Sequence, residues 1–248
     1  MRMSGNTILI TGATSGIGLG LAKRFHGEGN TVIIAGRREQ VLAEITAAHP
    51  GMDSVVLDVT DPDAMPAAIS GVFAAHPNLN VVINNAGIML PEDLSDPAHL
   101  QVAEQTVVTN LLGPIRLLAQ VVPFLTARPA ATIINVSSGL AFVPLPMTPT
   151  YCATKAAIHS FTQSLRVQLT DTSVQVIELV PPGVQTDLMG QAARGQGMAL
   201  EAFLSEVMHL LGEHPDAEEV CVQDVLLMRN AEAEGRYDDV LAMMSGAH

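Results

Sequence analysis

The chain is short of positive charge. Across 248 residues, 12 lysines and arginines stand against 25 aspartates and glutamates, a formal net charge of −13. Such a surface repels nucleic acid and anionic membranes, so neither is expected as a partner. An anionic cofactor can still bind where backbone amides and a few placed cations make the potential locally positive. Cysteine is equally scarce: Cys152 and Cys221 are too few for a disulfide framework and lack metal-ligand spacing, so both are read as reduced thiols. No run of about 18 uncharged apolar residues offers a candidate membrane span. No charged stretch followed by an apolar stretch and a cleavage site precedes the first strand-like run, which leads to an expected cytoplasmic location. Linkers, repeats and low-complexity tracts are missing too, so one domain over residues 1–248 is expected.

What the chain does have is a core: 48% of its residues are apolar and 15% charged, the balance of a folded globule. Short β-branched runs, apolar on both faces, cover residues 7–11, 31–35, 54–58, 81–84, 132–136 and 174–180. Helix-like stretches cover 16–28, 39–49, 62–75, 100–126 and 151–170. This alternation is the signature of repeated βαβ units and predicts an α/β fold with a parallel sheet. Past Pro182 the character changes. Residues 186–197 are rich in Met, Gly and Gln, two or three amphipathic helices follow, and 187–248 reads as a substrate lid with a C-terminal helical segment.

Between the first strand and the first helix lies Thr11-Gly12-Ala13-Thr14-Ser15-Gly16-Ile17-Gly18. Glycine permits a tight strand-to-helix turn and close approach of the backbone to a pyrophosphate, whose charge meets the free amides of the helix N-terminus. A mononucleotide P-loop is excluded, because no Lys-Ser or Lys-Thr pair follows the glycines. The second strand ends at Gly36-Arg37-Arg38. An acidic residue at its end would bond the ribose hydroxyls of NAD; two arginines instead suit the 2′-phosphate of NADPH/NADP+, which is therefore favoured over NAD.

Only two lysines and two tyrosines occur, and Tyr151 and Lys155 are four residues apart, on one face of a helix. A cation near a phenol stabilises the phenolate and lowers its pKa from about 10, letting Tyr151 exchange a proton with a substrate oxygen. Ser138, at the carboxyl end of the fifth strand, can donate to that oxygen as charge develops; Ser137 is the less favoured alternative.

The spacing of the glycine turn, the run Asn84-Asn85-Ala86-Gly87-Ile88 and the Ser138, Tyr151, Lys155 set together resemble the short-chain dehydrogenase/reductase family over about the first 190 residues. The resemblance implies a Rossmann-type doubly wound sheet in the order 3-2-1-4-5-6 with helices on both faces. It places Gly12, Thr14, Ser15, Gly16, Ile17 and Gly18 at the pyrophosphate, Asp58 and Val59 beside the adenine, and Asn85, Ala86 and Gly87 under the adenosine ribose. Lys155 holds the nicotinamide ribose beside Tyr151. Asn110 joins Ser138, Tyr151 and Lys155 as a catalytic residue by keeping helix backbone open for a water next to Lys155. Pro181, Val184 and Thr186 follow the sixth strand as nicotinamide contacts, with Pro182 where the family has glycine.

The C-terminus lacks the family's frequent ending, so the usual seventh strand is not expected. A homo-oligomer, dimer or tetramer, is expected through the wide apolar faces of the helices carrying Asn110 and Tyr151. Leu90, Leu140, Pro144, Met147, Leu188, Met189, Met198 and Phe203 are candidates for an apolar pocket, or equally for core packing. The expected activity is NADPH-dependent hydride transfer to a medium-sized apolar ketone, aldehyde or dicarbonyl, or from the matching alcohol, with no metal. The rival reading is a cofactor-sensing regulatory protein on the same fold. An epimerase or dehydratase would need a larger substrate domain.

Overall fold

Aliphatic side chains fill both faces of the strands, and a sheet built of such strands has to be covered on both sides. The computed structural model describes residues 1–190 and 195–246. Its strands are β1 (Thr7–Thr11), β2 (Thr31–Gly36), β3 (Asp53–Val56), β4 (Val81–Asn84), β5 (Ala131–Val136), β6 (Val174–Val180) and β7 (Glu219–Cys221). All pair in parallel, in the order β3-β2-β1-β4-β5-β6-β7. The helices are α1 (Gly16–Gly27), α2 (Glu39–Ala48), α3 (Met65–Ala75), α4 (His99–Val107), α5 (Gly113–Thr126), α6 (Pro149–Gln168), α7 (Leu200–Glu213), α8 (Leu226–Arg229) and α9 (Tyr237–Ser245).

Alternation along each strand divides the core in two. Ile8 and Ile10 of β1 share one cluster with Leu21 and Phe25 of α1, Leu42 of α2 and Phe203 of α7. Leu9 points the other way, into a cluster with Ile69 of α3, Leu117 and Val121 of α5 and Leu165 of α6. Full burial of side chains of this size stabilises by about 1.5–3 kcal/mol each. The chain reverses its winding between β1 and β4, and the crevice at the carboxyl ends of those strands is where ligands bind in such sheets.

Three expectations need correction. The seventh strand exists: Val220 pairs with Leu179 and Cys221 with Val180. At three residues amid Glu218 and Glu219 it is too short to read locally, and its pairing with β6 supplies what the sequence pattern lacks. The stretch at 62–75 starts its helix at Met65, because the Asp61 carboxylate accepts from the amides of Asp63 and Ala64 and holds a turn there. The helix read as continuous over 100–126 carries a π segment, Val108–Leu112, between α4 and α5.

That same stretch, His99–Thr126, is long and apolar enough by composition to cross a bilayer, with a mean hydropathy of 1.4 over an 18-residue window, against the expectation of no candidate span. Its residues Leu117, Leu118, Val121 and Leu125 are buried in the sheet's own core, and Asn110 is bonded inward. It is a core helix of the α/β layer.

The segment after β6 is fastened by the amide of Met198 on the Gly183 carbonyl (2.8 Å) and the amide of Gln185 on the Met198 carbonyl (2.9 Å). Residues 191–194 of the expected lid lie outside the described residues. Phe203, a pocket candidate by composition, is completely buried in the core under α7. Phe203→Ala is expected to cost about 3–5 kcal/mol of unfolding free energy. Urea denaturation showing a loss below about 1 kcal/mol would return this residue to a pocket wall.

Candidate active site

The glycine turn is closed on one side and open on the other. Gly12 has a φ of +64°, and a Cβ there would stand 2.7 Å from the Cα of Ala86. A Cβ on Gly18 would meet Asn85 Nδ2 at 2.4 Å and the Gly12 carbonyl at 2.6 Å. Neither position tolerates a side chain, so the loop lies flat against the Asn85-Ala86-Gly87 segment. Asn85 Nδ2 donates to the carbonyls of Thr11 (2.9 Å) and Gly12 (3.2 Å). Thr11, which sequence reasoning did not single out, accepts the amides of Asn85 and Ala86 on its hydroxyl, both at 3.1 Å. Ser15 stands extended before α1 with no side-chain cap and no acidic residue in the first turn. The first amides of that helix therefore face the cleft with their partial positive charge uncovered.

The cleft has a volume of about 270 Å³. Gly12, Ser15, Gly16, Ile17 and Gly18 line one end, with Asn85, Ala86 and Gly87 beside them. Ser138, Tyr151 and Lys155 line the other, with Pro181, Val184 and Thr186 along the side. Five segments separated in sequence thus deliver the expected residues to one crevice.

The remaining expected residues are placed around it. Arg38 donates to the Thr14 hydroxyl at 2.6 Å, on the outer side of the glycine turn. Arg37, largely exposed, lies 3.9 Å from Asp58, whose carboxylate also takes the amide and hydroxyl of Thr60. Val59 is a core residue packed on Gly113. Asn110 sits behind the cleft, in the π segment. Its carboxamide takes the Ile88 amide and donates to the Ile88 carbonyl, both at 2.8 Å, so it clamps the chain just after Gly87 to the helix. The extra residue in the π turn is what turns Asn110 inward.

Helix α6 is fixed to the sheet by a buried polar ladder. Asn84 donates to Asn135 at 2.9 Å, and Asn135 donates to the Thr162 hydroxyl at 3.0 Å. At its N-terminus the Glu92 carboxylate takes the amide and hydroxyl of Thr150, the residue before Tyr151. Lys155, 5% exposed, donates to the Val136 carbonyl at 2.7 Å. Its ammonium lies 5.6 Å from the centre of the Tyr151 ring. The Tyr151 phenol is close enough to the Ser138 hydroxyl to be influenced by it, and that hydroxyl accepts the Leu140 amide at 3.1 Å.

Burial sets the protonation states. It pushes the Tyr151 phenol up to about 12, against the hydrogen bond from Ser138. It draws the Lys155 ammonium down to about 8, with Glu178 working in the opposite direction. The expected lowering of the phenol by its neighbouring cation is thus not achieved by the protein alone: loss of hydration is the largest influence on it. What the arrangement can do is hold a proton on Tyr151 next to a hydroxyl donor.

Of the apolar candidates, Leu140 and Leu188 line the cleft. Met189 packs near Tyr151, Met198 joins the core under α7, and Met147 is exposed, while Leu90 and Pro144 are half-buried away from the lining. The walls are completed by Met89, Leu145, Met228 and Met244. The last two come from α8 and α9, where no motif marks them.

The short chain dehydrogenase family profile matches residues 6–197. An uncharacterized oxidoreductase of Bacillus subtilis, DltE, is 45% identical over 207 residues, covering 83% of this chain and 82% of its own. A short chain dehydrogenase of Burkholderia cenocepacia, solved in complex with NADP, superposes with a TM-score of 0.83 at 24% identity over 98% of this chain and 99% of its own. The 3-ketoacyl-(acyl-carrier-protein) reductase of Brucella melitensis, solved with NADH, gives 0.79 at 23% identity over 90% and 100%. With the family profile spanning most of its length and the glycine turn and Ser138, Tyr151 and Lys155 gathered in one cleft, the chain belongs to the short-chain dehydrogenase/reductase family of oxidoreductases.

Proposed function

We propose that this oxidoreductase is an NADP(H)-dependent reductase of uncharged, largely apolar ketones, aldehydes or dicarbonyls. The observation that carries the reading is one continuous cleft with the glycine turn at one end and the Tyr151 and Ser138 hydroxyls, together with Lys155, at the other. The residues present fit a dinucleotide: a side chain on Gly12 or Gly18 would strike the backbone or Asn85, and the uncapped start of α1 offers amides to a pyrophosphate. Bound there, a nicotinamide supplies hydride to a carbonyl carbon. Tyr151 gives its proton to the carbonyl oxygen, Ser138 donates to the same oxygen as charge grows, and Lys155 keeps a positive charge beneath the phenol.

The preference for NADP(H) is supported by Arg37 and Arg38 at the end of β2 and by the absence of an acidic residue at Gly36. Arg38, already turned to Thr14 of the glycine loop, is the better placed of the two. The substrate class is supported by the walls: among the described residues lining the cleft, Lys155 and Asp187 are the only charged side chains, and Lys155 is bonded to the Val136 carbonyl, so these residues offer a carboxylate or sulfonate no free cation. The enzyme is proposed to act in the cytoplasm, in keeping with two free thiols, as a single Rossmann unit whose segment 187–248 closes the substrate end. Leu100 and Val167, exposed on α4 and α6, support a homo-oligomer through those faces.

Three measurements test this. NADPH oxidation over a carbonyl panel is expected to be faster with neutral apolar substrates than with anionic ones, and Tyr151→Phe is expected to lower the rate by about 10²–10⁴-fold; equal rates in variant and wild type overturn the mechanism. Replacing Arg37 and Arg38 by alanine is expected to weaken NADPH binding about tenfold or more, roughly 1.4 kcal/mol, while NADH titrations barely change. Finally, Lys155 is an ammonium below about 8 and loses its charge above it. Reduction should therefore hold through neutral pH and decline as pH rises through that value, read as kcat/KM from pH 6 to 9.5; a rate still climbing across the window contradicts the role given to Lys155.

A further inference from the structure

Behind the cleft lies a polar cluster that the chemistry above does not use. Glu178, on β6, is completely buried. One of its carboxylate oxygens accepts the Ser137 hydroxyl at 2.5 Å, and the other is 2.8 Å from Nδ1 of His159. An uncompensated carboxylate at such a place is costly, so these partners are required. The other ring nitrogen of His159 faces the Gln163 amide at 3.2 Å, and the ring meets the edge of Phe142 at 4.7 Å.

Ligating atoms of His159, Glu178 and Glu219 lie within 4.8 Å of one another, the composition of a metal site. Glu219, however, is clasped by Arg229 through bonds of 2.7 and 3.0 Å, and that guanidinium lies over Phe142. The cation of this cluster is thus already supplied by Arg229, and the cluster is an ion network.

Its position relative to the reacting groups is what gives it meaning. Tyr151, Lys155 and His159 recur at steps of four on one face of α6. On the sheet, Glu178 pairs in register with Asn135. Its partner Ser137 lies between Val136, whose carbonyl takes the Lys155 ammonium, and Ser138, whose hydroxyl lines the cleft with Tyr151. One buried carboxylate therefore grips the strand end that presents both contacts.

We propose that Glu178 is a positioning residue for the reduction, acting as the fixed counter-charge of Lys155 and as the anchor of residues 136–138, with His159 holding it from the solvent side. This rests on the reductase reading of the Tyr151 site. Desolvation pulls the Lys155 ammonium down to about 8, and the charge of Glu178 opposes that pull. Without it, Lys155 loses its proton at lower pH. The titratable and charged groups around the carboxylate are Lys155 and His159 from α6, Glu219 and Cys221 from β7, and Arg229 from α8, with Arg166 of α6 beyond Glu219. None of them replaces Glu178 as an anion bonded to the end of β5.

The test uses the scarcity of lysine. With Lys23→Arg as background, ¹³C-labelled lysine reports Lys155 as a single resonance whose titration can be followed without turnover. Glu178→Gln is expected to lower the Lys155 midpoint by about one pH unit and to move the alkaline limb of kcat/KM with it, about tenfold in rate on that limb. Glu178→Asp, which keeps the charge, is expected to retain the wild-type midpoint. An unchanged midpoint in folded Glu178→Gln protein overturns the proposal, whatever the protein's activity. A midpoint that falls in a protein that reduces no carbonyl supports the counter-charge and removes the reductase reading instead. Should Glu178→Gln not fold, the double variant Glu178→Leu with His159→Leu exchanges the pair for apolar side chains, a replacement that buried ion pairs often tolerate. Its Lys155 midpoint must fall as well, and one that stays in place overturns the proposal.

Discussion

Holding an ammonium almost out of reach of water is the constraint on which the cleft depends. Lys155 has one close bond, to the Val136 carbonyl, and feels a buried carboxylate, Glu178. A charge kept in that way demands that its partners not move, because a small displacement leaves it without a hydrogen bond in a medium that does not screen. The Asn84, Asn135 and Thr162 ladder and the Glu92 contact to Thr150 meet that demand from two sides of α6. The helix bearing both functional side chains is thereby locked to strands β4 and β5 by bonds that water does not reach.

Burial also explains why the two neighbouring groups move in opposite directions. A low-dielectric site favours the neutral form of each, raising a phenol and lowering an amine. The phenol is thus ready to give a proton rather than take one. The ammonium is the more finely balanced of the pair, since its value falls inside the physiological range, and this is why its surroundings matter more than those of Tyr151.

Much of this was legible in the sequence, because the informative signals are local. A glycine turn between a strand and a helix, and a tyrosine four residues before a lysine, can be read without knowing what lies across the sheet. Strands β1, β4 and β6 have the boundaries that their β-branched runs suggest. What escaped depends on contacts between distant segments. The pairing that makes β7 a strand comes from β6, and the meeting of Ser137 with Glu178 depends on the register between β5 and β6. Methionine and phenylalanine look alike whether they line a pocket or fill a core, so Phe203 was grouped with Leu188 although one is core and the other wall. Met228 and Met244 reach the cleft only because the last helices fold back over Val143.

The π turn at residues 108–112 leaves the chain with one residue more than a regular helix would use there. Each α-helical residue advances the winding by about 100°, so shortening this turn by one residue would rotate everything on one side of it by roughly that angle relative to the other. Either α5 would lose its apolar stripe against the sheet, or Asn110 would swing away from Ile88. The surplus residue thus lets a single rod satisfy two separate rotational requirements, one for packing and one for the clamp beside the crevice.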